Sequence, residues 1–336
     1  MSIIYDRLIE YSKGDAYPFH MPGHKRQLEG DLLNEISRID ITEIDGFDNL
    51  HDAEGMIHDA QIRAAKLYGA EESFLLINGS TCGILSAVAA CVPSGGWLMM
   101  GRNCHKAVYN AALLGGLKTV YLQPKLKEGF SFCDGLHLEE IENSINEFYN
   151  SHPTEKLGAV ILTSPTYEGI LSEIREIAEF LHGRNIPLIV DEAHGAHLGL
   201  AENLAQNSCR QGADLVIHSL HKTMPSMTQT ALLHVNGNFV DRRRLRRYLS
   251  IYQTSSPSYV LMASIDRALT MMAENGEEYF KLFLERKKKL LDALKSCKRI
   301  RVYQGDDVDV CKVVLSIKEG AASGKMLYDR TNLEKG

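Results

Sequence analysis

The stretch "GADLVIHSLHKTMPS" (residues 212–226) sets an apolar run beside a polar cluster. Leu215 to Ile217 read as a short buried strand. His218, Ser219, His221, Lys222 and Thr223 follow at its end. A lone lysine on a loop is ordinarily a solvated surface residue. Lys222 departs from that because the same arrangement, an apolar strand followed at once by reactive side chains, recurs along the chain.

Working outward, the runs at 73–78, 97–101, 118–122, 158–163, 187–192, 214–219 and 230–235 are all strand-like. Stretches of helical periodicity at 80–92, 105–115, 138–150 and 173–185 separate most of them. Strands that are apolar on both faces and alternate with helices predict an α/β fold, a mainly parallel seven-stranded sheet sandwiched by helices. After residue 250 the character changes. Long helix is expected, broken into two near Asn275-Gly276, then a strand at 310–318 and a helix beginning at Gly324. Too little follows to complete a second domain. The expected organisation is an N-terminal segment (1–55), a large domain (56–255), and interdomain helices with an incomplete small α+β domain (256–336).

Bulk properties bound the function. The 336 residues carry 37 Lys and Arg against 43 Asp and Glu, a formal charge of −6. A mildly acidic chain is a poor general binder of nucleic acid or anionic membrane, so neither is expected as a partner. The basic run "RRRLRR" (242–247) reads as the solvated face of a helix. The seven cysteines are scattered and odd in number. No disulfide framework or thiolate zinc site is indicated, and a reducing, cytoplasmic setting is expected. The N-terminus lacks the pattern of a secretion signal, and no apolar run reaches membrane-spanning length.

In sheets of this kind ligands collect beyond the carboxyl ends of the strands. Gly79, Ser80 and Thr81 open a helix after the first strand and form a cup for an anion. His105 follows the second strand, Ser164 the fourth, Asp191 and His194 the fifth, and Ser219, His221 and Lys222 the sixth. Hydroxyl, imidazole, carboxylate and amine thus converge on one edge. A cofactor with a phosphate, a nitrogen ring and an aldehyde uses all of them, and pyridoxal 5′-phosphate has those parts. Asp191, His194 and His197 in "DEAHGAH" offer a competing metal reading. The segment lies at a strand end and is not H-E-x-x-H, so no metal is expected.

Seven segments, "PFHMPGHK" (18–25), "DITEIDGFDNLHDAEG" (40–55), "NGSTCG" (78–83), "RNCHKAVYNA" (102–111), "SPTYEG" (164–169), "VDEAHGAHLG" (190–199) and "HSLHKTMPSMTQTALLHV" (218–235), carry a further signal. Together they resemble the ornithine/lysine/arginine decarboxylase family of pyridoxal-phosphate enzymes, in its short form, with the aspartate-aminotransferase-like fold. The resemblance implies that the large domain binds the cofactor and that Lys222 is the lysine joined to its aldehyde. Asp191 becomes the partner of the ring nitrogen and His105 the residue stacked on the ring. His194 is a cofactor-adjacent histidine with a catalytic part. Ser80, Thr81, Ser219 and His221 become phosphate ligands, with Ser164 also on the cofactor. Thr254 and Ser255 would add phosphate contacts across the interface of a homodimer. The implied reaction is decarboxylation of lysine, arginine or ornithine to a polyamine precursor and carbon dioxide. An aminotransferase or other lyase, and a non-catalytic homologue that binds the cofactor and dimerises, remain as alternatives. The acidic residues Asp40, Glu43, Asp45, Asp48 and Asp52 are candidates to steer a cationic substrate.

Overall fold

The computed structural model describes residues 1–317 and 323–333. The chain opens with α1 (Ile4–Ser12), α2 (Asp31–Ser37) and α3 (Met56–Tyr68). β1 (Glu72–Leu76), α4 (Gly79–Cys91), β2 (Trp97–Gly101), α5 (Lys106–Gly115), β3 (Lys118–Leu122), α6 (Leu138–Ser151), β4 (Leu157–Thr163), α7 (Ile174–His182) and β5 (Leu188–Asp191) follow in alternation. β6 (Leu215–Ser219), the one-turn α8 (Leu220–Thr223) and β7 (Ala231–Val235) complete the sheet. Beyond it lie α9 (Arg242–Tyr252), α10 (Tyr259–Leu294), β8 (Ile300–Val302), β9 (Leu315–Ile317) and α11 (Gly324–Leu333).

The seven expected strands form one sheet in the order β1-β7-β6-β5-β4-β2-β3. Only β7 runs against its neighbours. Alternation along each strand sends side chains to two cores. Phe74, Leu76, Leu98, Met100, Ile161, Ile189 and Ile217 pack with α4, α5 and α9 on one face. Leu75, Ile77, Met99, Val160, Val190 and Val216 pack on the other, beneath α1, α3 and α10 at one end and α6 and α7 at the other. The period of two is what makes every strand read as continuously apolar.

The register brings the strand ends level. Ala231 faces Leu76 on one side and Ser219 on the other, and Asp191 pairs with both Thr163 and Ile217. The residues that follow these ends therefore emerge along a single rim.

Two expectations are corrected. α10 is one continuous helix of 36 residues, about 54 Å long. Gly276 does not break it. It is buried where a Cβ would stand 3.3 Å from the Leu200 carbonyl oxygen, so the glycine serves close approach to that loop. The strand expected at 310–318 is limited to Leu315–Ile317, paired antiparallel with β8, and residue 318 lies outside the described residues.

The N-terminal segment packs on the body of the molecule. Asp266 of α10, fully buried, accepts the N–H groups of Ile4 and Tyr5 and pairs with Arg63 of α3. The basic run lies on α9, capped by Asp241, whose side chain accepts from Arg243 and Arg244. Arg242 and Arg246 pair with Glu71 and Glu72 at the start of β1, while Leu245 and Leu249 face the core. Among the described residues no helix is long and apolar enough to cross a membrane. All seven cysteines are unpaired thiols.

Candidate active site

Lys222 sits in the single turn after β6. Its Nζ lies 3.1 Å from His194 Nε2, on the loop after β5. Partial loss of water lowers the amine's pKa, Asp191 opposes this, and the nearby positive charge of Lys312 lowers it further. His194 is brought down to about 4 by burial and by the charges of Lys222 and Lys312, so its imidazole is neutral near pH 7. The exposed ring of Tyr167 stands edge-on to His194 at 5.3 Å.

Asp191 is 2% exposed at the end of β5. Burial raises its pKa, and Lys222, the Ala193 N–H and His105 act against that rise. Its Oδ1 accepts the Ala193 N–H at 3.2 Å. Its Oδ2 takes no donor among the described residues. A buried carboxylate with an open oxygen is suited to a ligand's N–H.

At the anion cup, α4 begins at Gly79 without a side-chain cap. The side chain of Asn78 turns instead to accept the backbone N–H of Thr254 at 3.3 Å, in this same chain. The Ser219 hydroxyl donates to Ser80 Oγ at 2.7 Å, joining the ends of β1 and β6 across the first strand residue of β7. His221 Nδ1–H donates to the Thr230 carbonyl at 3.1 Å, which fixes its ring. His105 caps α5 with Nδ1, accepting the Ala107 N–H at 3.2 Å.

The geometry thus gathers Lys222, His194, Asp191 and His105 into one electrostatic neighbourhood, with Ser80 and Ser219 in contact beside it and Thr81 on the same first turn. Thr254 reaches the cup through its backbone, and Ser255 adjoins it on an exposed stretch. Ser164 has another use: it is buried and its Oγ accepts the Ser172 N–H at 3.0 Å, closing the loop after β4. His197 does not join Asp191 and His194 as a metal set. Its Nε2 pairs with Asp309, 3.0 Å away, and Cys311 lies beside that pair.

Several neighbours of the site escape a reading of sequence alone. Asp309 donates its N–H to the Gly169 carbonyl, and Leu171 donates to Asp307, so residues 307–309 are laced to the loop that bears Tyr167. At Gly169 a Cβ would fall 2.5 Å from Lys312 Cγ, so this glycine makes room for the lysine's stem. These contacts join positions some 140 residues apart, and no local pattern announces them. Asp48 is also reassigned. Its carboxylate accepts the N–H groups of Asn49, Glu54, Gly55, Ile57 and His58, which folds the loop and caps α3. Asp40 pairs with His24 at 3.2 Å. Asp52 instead lines a cavity of about 380 Å³ with His51, His58 and Arg246.

Comparison with known proteins bears on the family and the fold. The family profile for "Orn/Lys/Arg decarboxylase, major domain" matches residues 3–321. A Bacillus subtilis protein named YaaO is 37% identical over 284 residues, covering 82% of this chain and 57% of its own. An arginine decarboxylase of Halalkalibacterium halodurans is 32% identical, covering 82% of this chain and 56% of its own. The chain therefore spans a little over half the length of these relatives. Among solved structures, the Escherichia coli constitutive lysine decarboxylase superposes with a TM-score of 0.77 at 21% identity, over 91% of this chain and 46% of that one. An alanine–glyoxylate aminotransferase from Nostoc gives a TM-score of 0.64 at 14% identity, over 83% of this chain and 75% of that one. The fold is thus shared across different activities.

Proposed function

The chain belongs to the Orn/Lys/Arg decarboxylase family, and from that premise we propose that it is a pyridoxal-phosphate enzyme releasing carbon dioxide from a basic amino acid to leave a polyamine precursor. The observation that carries the reading is the buried Asp191, one oxygen open, on the rim that also holds the Lys222–His194 pair. The donor set fits the cofactor: Lys222 for its aldehyde, Asp191 for its ring N–H, and the α4 N-terminus with Ser80, Thr81, Ser219 and His221 for its phosphate. His105 would cover a ring face. When bound, pyridoxal phosphate supplies an aldehyde for amine exchange and a protonated ring that accepts the electron pair left as carbon dioxide departs.

The chain's own residues have separable tasks. Lys222, whose amine pKa is lowered by burial, attacks a carbonyl carbon once it has given up its proton. Asp191 would hold a proton at the ring nitrogen, and its burial would strengthen that contact. His194, neutral and 3.1 Å from Lys222 Nζ, exchanges a proton with it, and the pair returns a proton to the substrate α-carbon.

Purified protein should be yellow and should release carbon dioxide from at least one of lysine, arginine and ornithine. Lys222→Ala should abolish both the visible absorbance and its loss on borohydride treatment. Asp191→Asn should keep the cofactor but lose about 3 kcal/mol of transition-state stabilisation, a rate loss of about a hundredfold or more. A colourless protein that gains no band with added pyridoxal phosphate would overturn the proposal.

A further inference from the structure

On the face of the sheet opposite Asp191 and Ser219, five polar side chains form one continuous chain. Strand alternation turns Glu192 and His218 away from their neighbours Asp191 and Ser219. Ser73 Oγ lies 2.6 Å from His234 Nδ1, His234 Nε2 lies 3.0 Å from His218 Nδ1, and His218 Nε2 lies 2.8 Å from Glu192 Oε1. Glu192 Oε2 accepts the Ser208 N–H at 2.9 Å and meets the Ser208 hydroxyl. The ring of Tyr68 packs on both imidazoles, at 4.6 and 4.7 Å. None of the five is more than 1% exposed.

Such a chain has only two consistent polarities. A neutral imidazole carries one N–H, so the direction of the first link sets the rest. If Glu192 is an acid donating to His218 Nε2, then His218 donates from Nδ1 to His234, and His234 donates from Nδ1 to Ser73. If Glu192 is a carboxylate, every link reverses and the chain holds one proton fewer.

We propose that Glu192 is a neutral carboxylic acid and a positioning residue, donating to His218 and thereby holding the strand end that carries Asp191 against the one that carries Ser219 and Lys222. Glu192 directly follows Asp191, and His218 directly precedes Ser219. The last ladder pair of β5 and β6 is Asp191 with Ile217, so the Glu192–His218 bond is a clamp set just past the ladder. The surroundings favour the acid. Burial lifts Glu192 to about 8 against the pull of Ser208 and His197, drops His218 to about 3, and drives His234 well down. Tyr68 and Cys209, the other titratable groups facing this cluster, are pushed up by burial and stay neutral. His197 is engaged with Asp309.

The effect on the reaction rests on the pyridoxal-phosphate reading, whereas the protonation state does not. The test therefore has two arms. In cofactor-free protein at pH 7, the infrared spectrum should contain a buried carboxylic-acid carbonyl band that is missing from Glu192→Gln and fades as pH rises past about 8. In cofactor-loaded protein, His218→Leu should lower kcat roughly tenfold or more with KM within about twofold, and alter the visible circular dichroism of the bound cofactor, as a sub-ångström displacement of the reacting groups would. Glu192→Leu should do the same, and Glu192→Gln, which keeps a neutral donor, should rescue the dichroism and most of the rate. No acid band at pH 7, or Glu192→Gln as damaging as Glu192→Leu, would overturn the proposal. If Glu192→Leu fails to fold, the infrared arm and the Gln variant still decide it. Failure to bind pyridoxal phosphate would sink the proposed function and leave the infrared result standing on its own.

Discussion

At the scale of single residues, Lys222, Asp191 and His194 are displaced from their ordinary protonation behaviour by burial and by one another. His194 shows the consequence for stability. In the folded chain it protonates only near pH 4, whereas an unfolded imidazole does so near 6.5. Between those values the unfolded chain binds more protons, so this residue's share of stability falls as pH falls through that window. Urea midpoints at pH 7 and pH 5 check it: His194→Gln should lose less on acidification than the parent. An equal loss would mean that His194 is not held neutral. Of the site residues, Lys222 and Asp191 are the most legible from sequence, because a reactive side chain directly after an apolar strand is a local signal. Lys312 is not legible, because its nearness to Lys222 depends on residues 307–309 lacing onto a loop far earlier in the chain.

At the scale of elements, Asp48 shows how one carboxylate organises a loop. It accepts five backbone N–H groups that otherwise have no partner. Those bonds lower its pKa against the opposing effect of burial, so its contribution is present above the ordinary carboxylate range and is lost as pH falls through the lowered value. Asp48→Ala should cost about 2 kcal/mol in urea unfolding. Asp52→Asn should leave stability nearly unchanged and raise KM for a diamino acid by about tenfold, or ~1.4 kcal/mol. If Asp52→Asn leaves KM unchanged, cation recognition lies elsewhere. In sequence these two aspartates look alike, since an acidic loop reads the same whether its carboxylates face solvent or their own backbone. The strands were legible because a doubly buried strand has no polar face to confuse its pattern. The continuity of α10 was not, because a glycine beside an asparagine ordinarily ends a helix, and only the packing of Leu200 on Gly276 explains its presence.

At the scale of the whole molecule, the segment after α10 is tied back to the sheet by a buried pair. His197 and Asp309 are each no more than 2% exposed, and Asp309 also accepts the Cys311 N–H at 2.9 Å. Asp309→Ala leaves a buried imidazole without a partner and should cost about 3 kcal/mol. Amide exchange over residues 307–312 should quicken, with the sheet unaffected. Uniform destabilisation would show instead that the pair supports the whole fold. We further propose that the working unit is a two-fold dimer, in which Thr254, anchored by its backbone N–H to Asn78 of its own chain, and Ser255 present their exposed side chains to the other copy's phosphate site. Sedimentation of fully loaded protein at micromolar concentration should give twice the chain mass, and a loaded monomer would refute the shared site. The antiparallel β7 has a consequence for how such a site comes into being. Among the described residues it is the only strand paired with both β1 and β6, so the ends of those two strands, beside which Ser80 and Ser219 meet, are joined through residues 231–235. On the ribosome, α4 and its N-terminus emerge early, yet the edge of β1 waits for a partner more than 150 residues downstream. On the proposed pyridoxal-phosphate reading, the phosphate cup is therefore complete only once nearly the whole sheet has been synthesised, and cofactor loading would be a late event that reports on completed assembly.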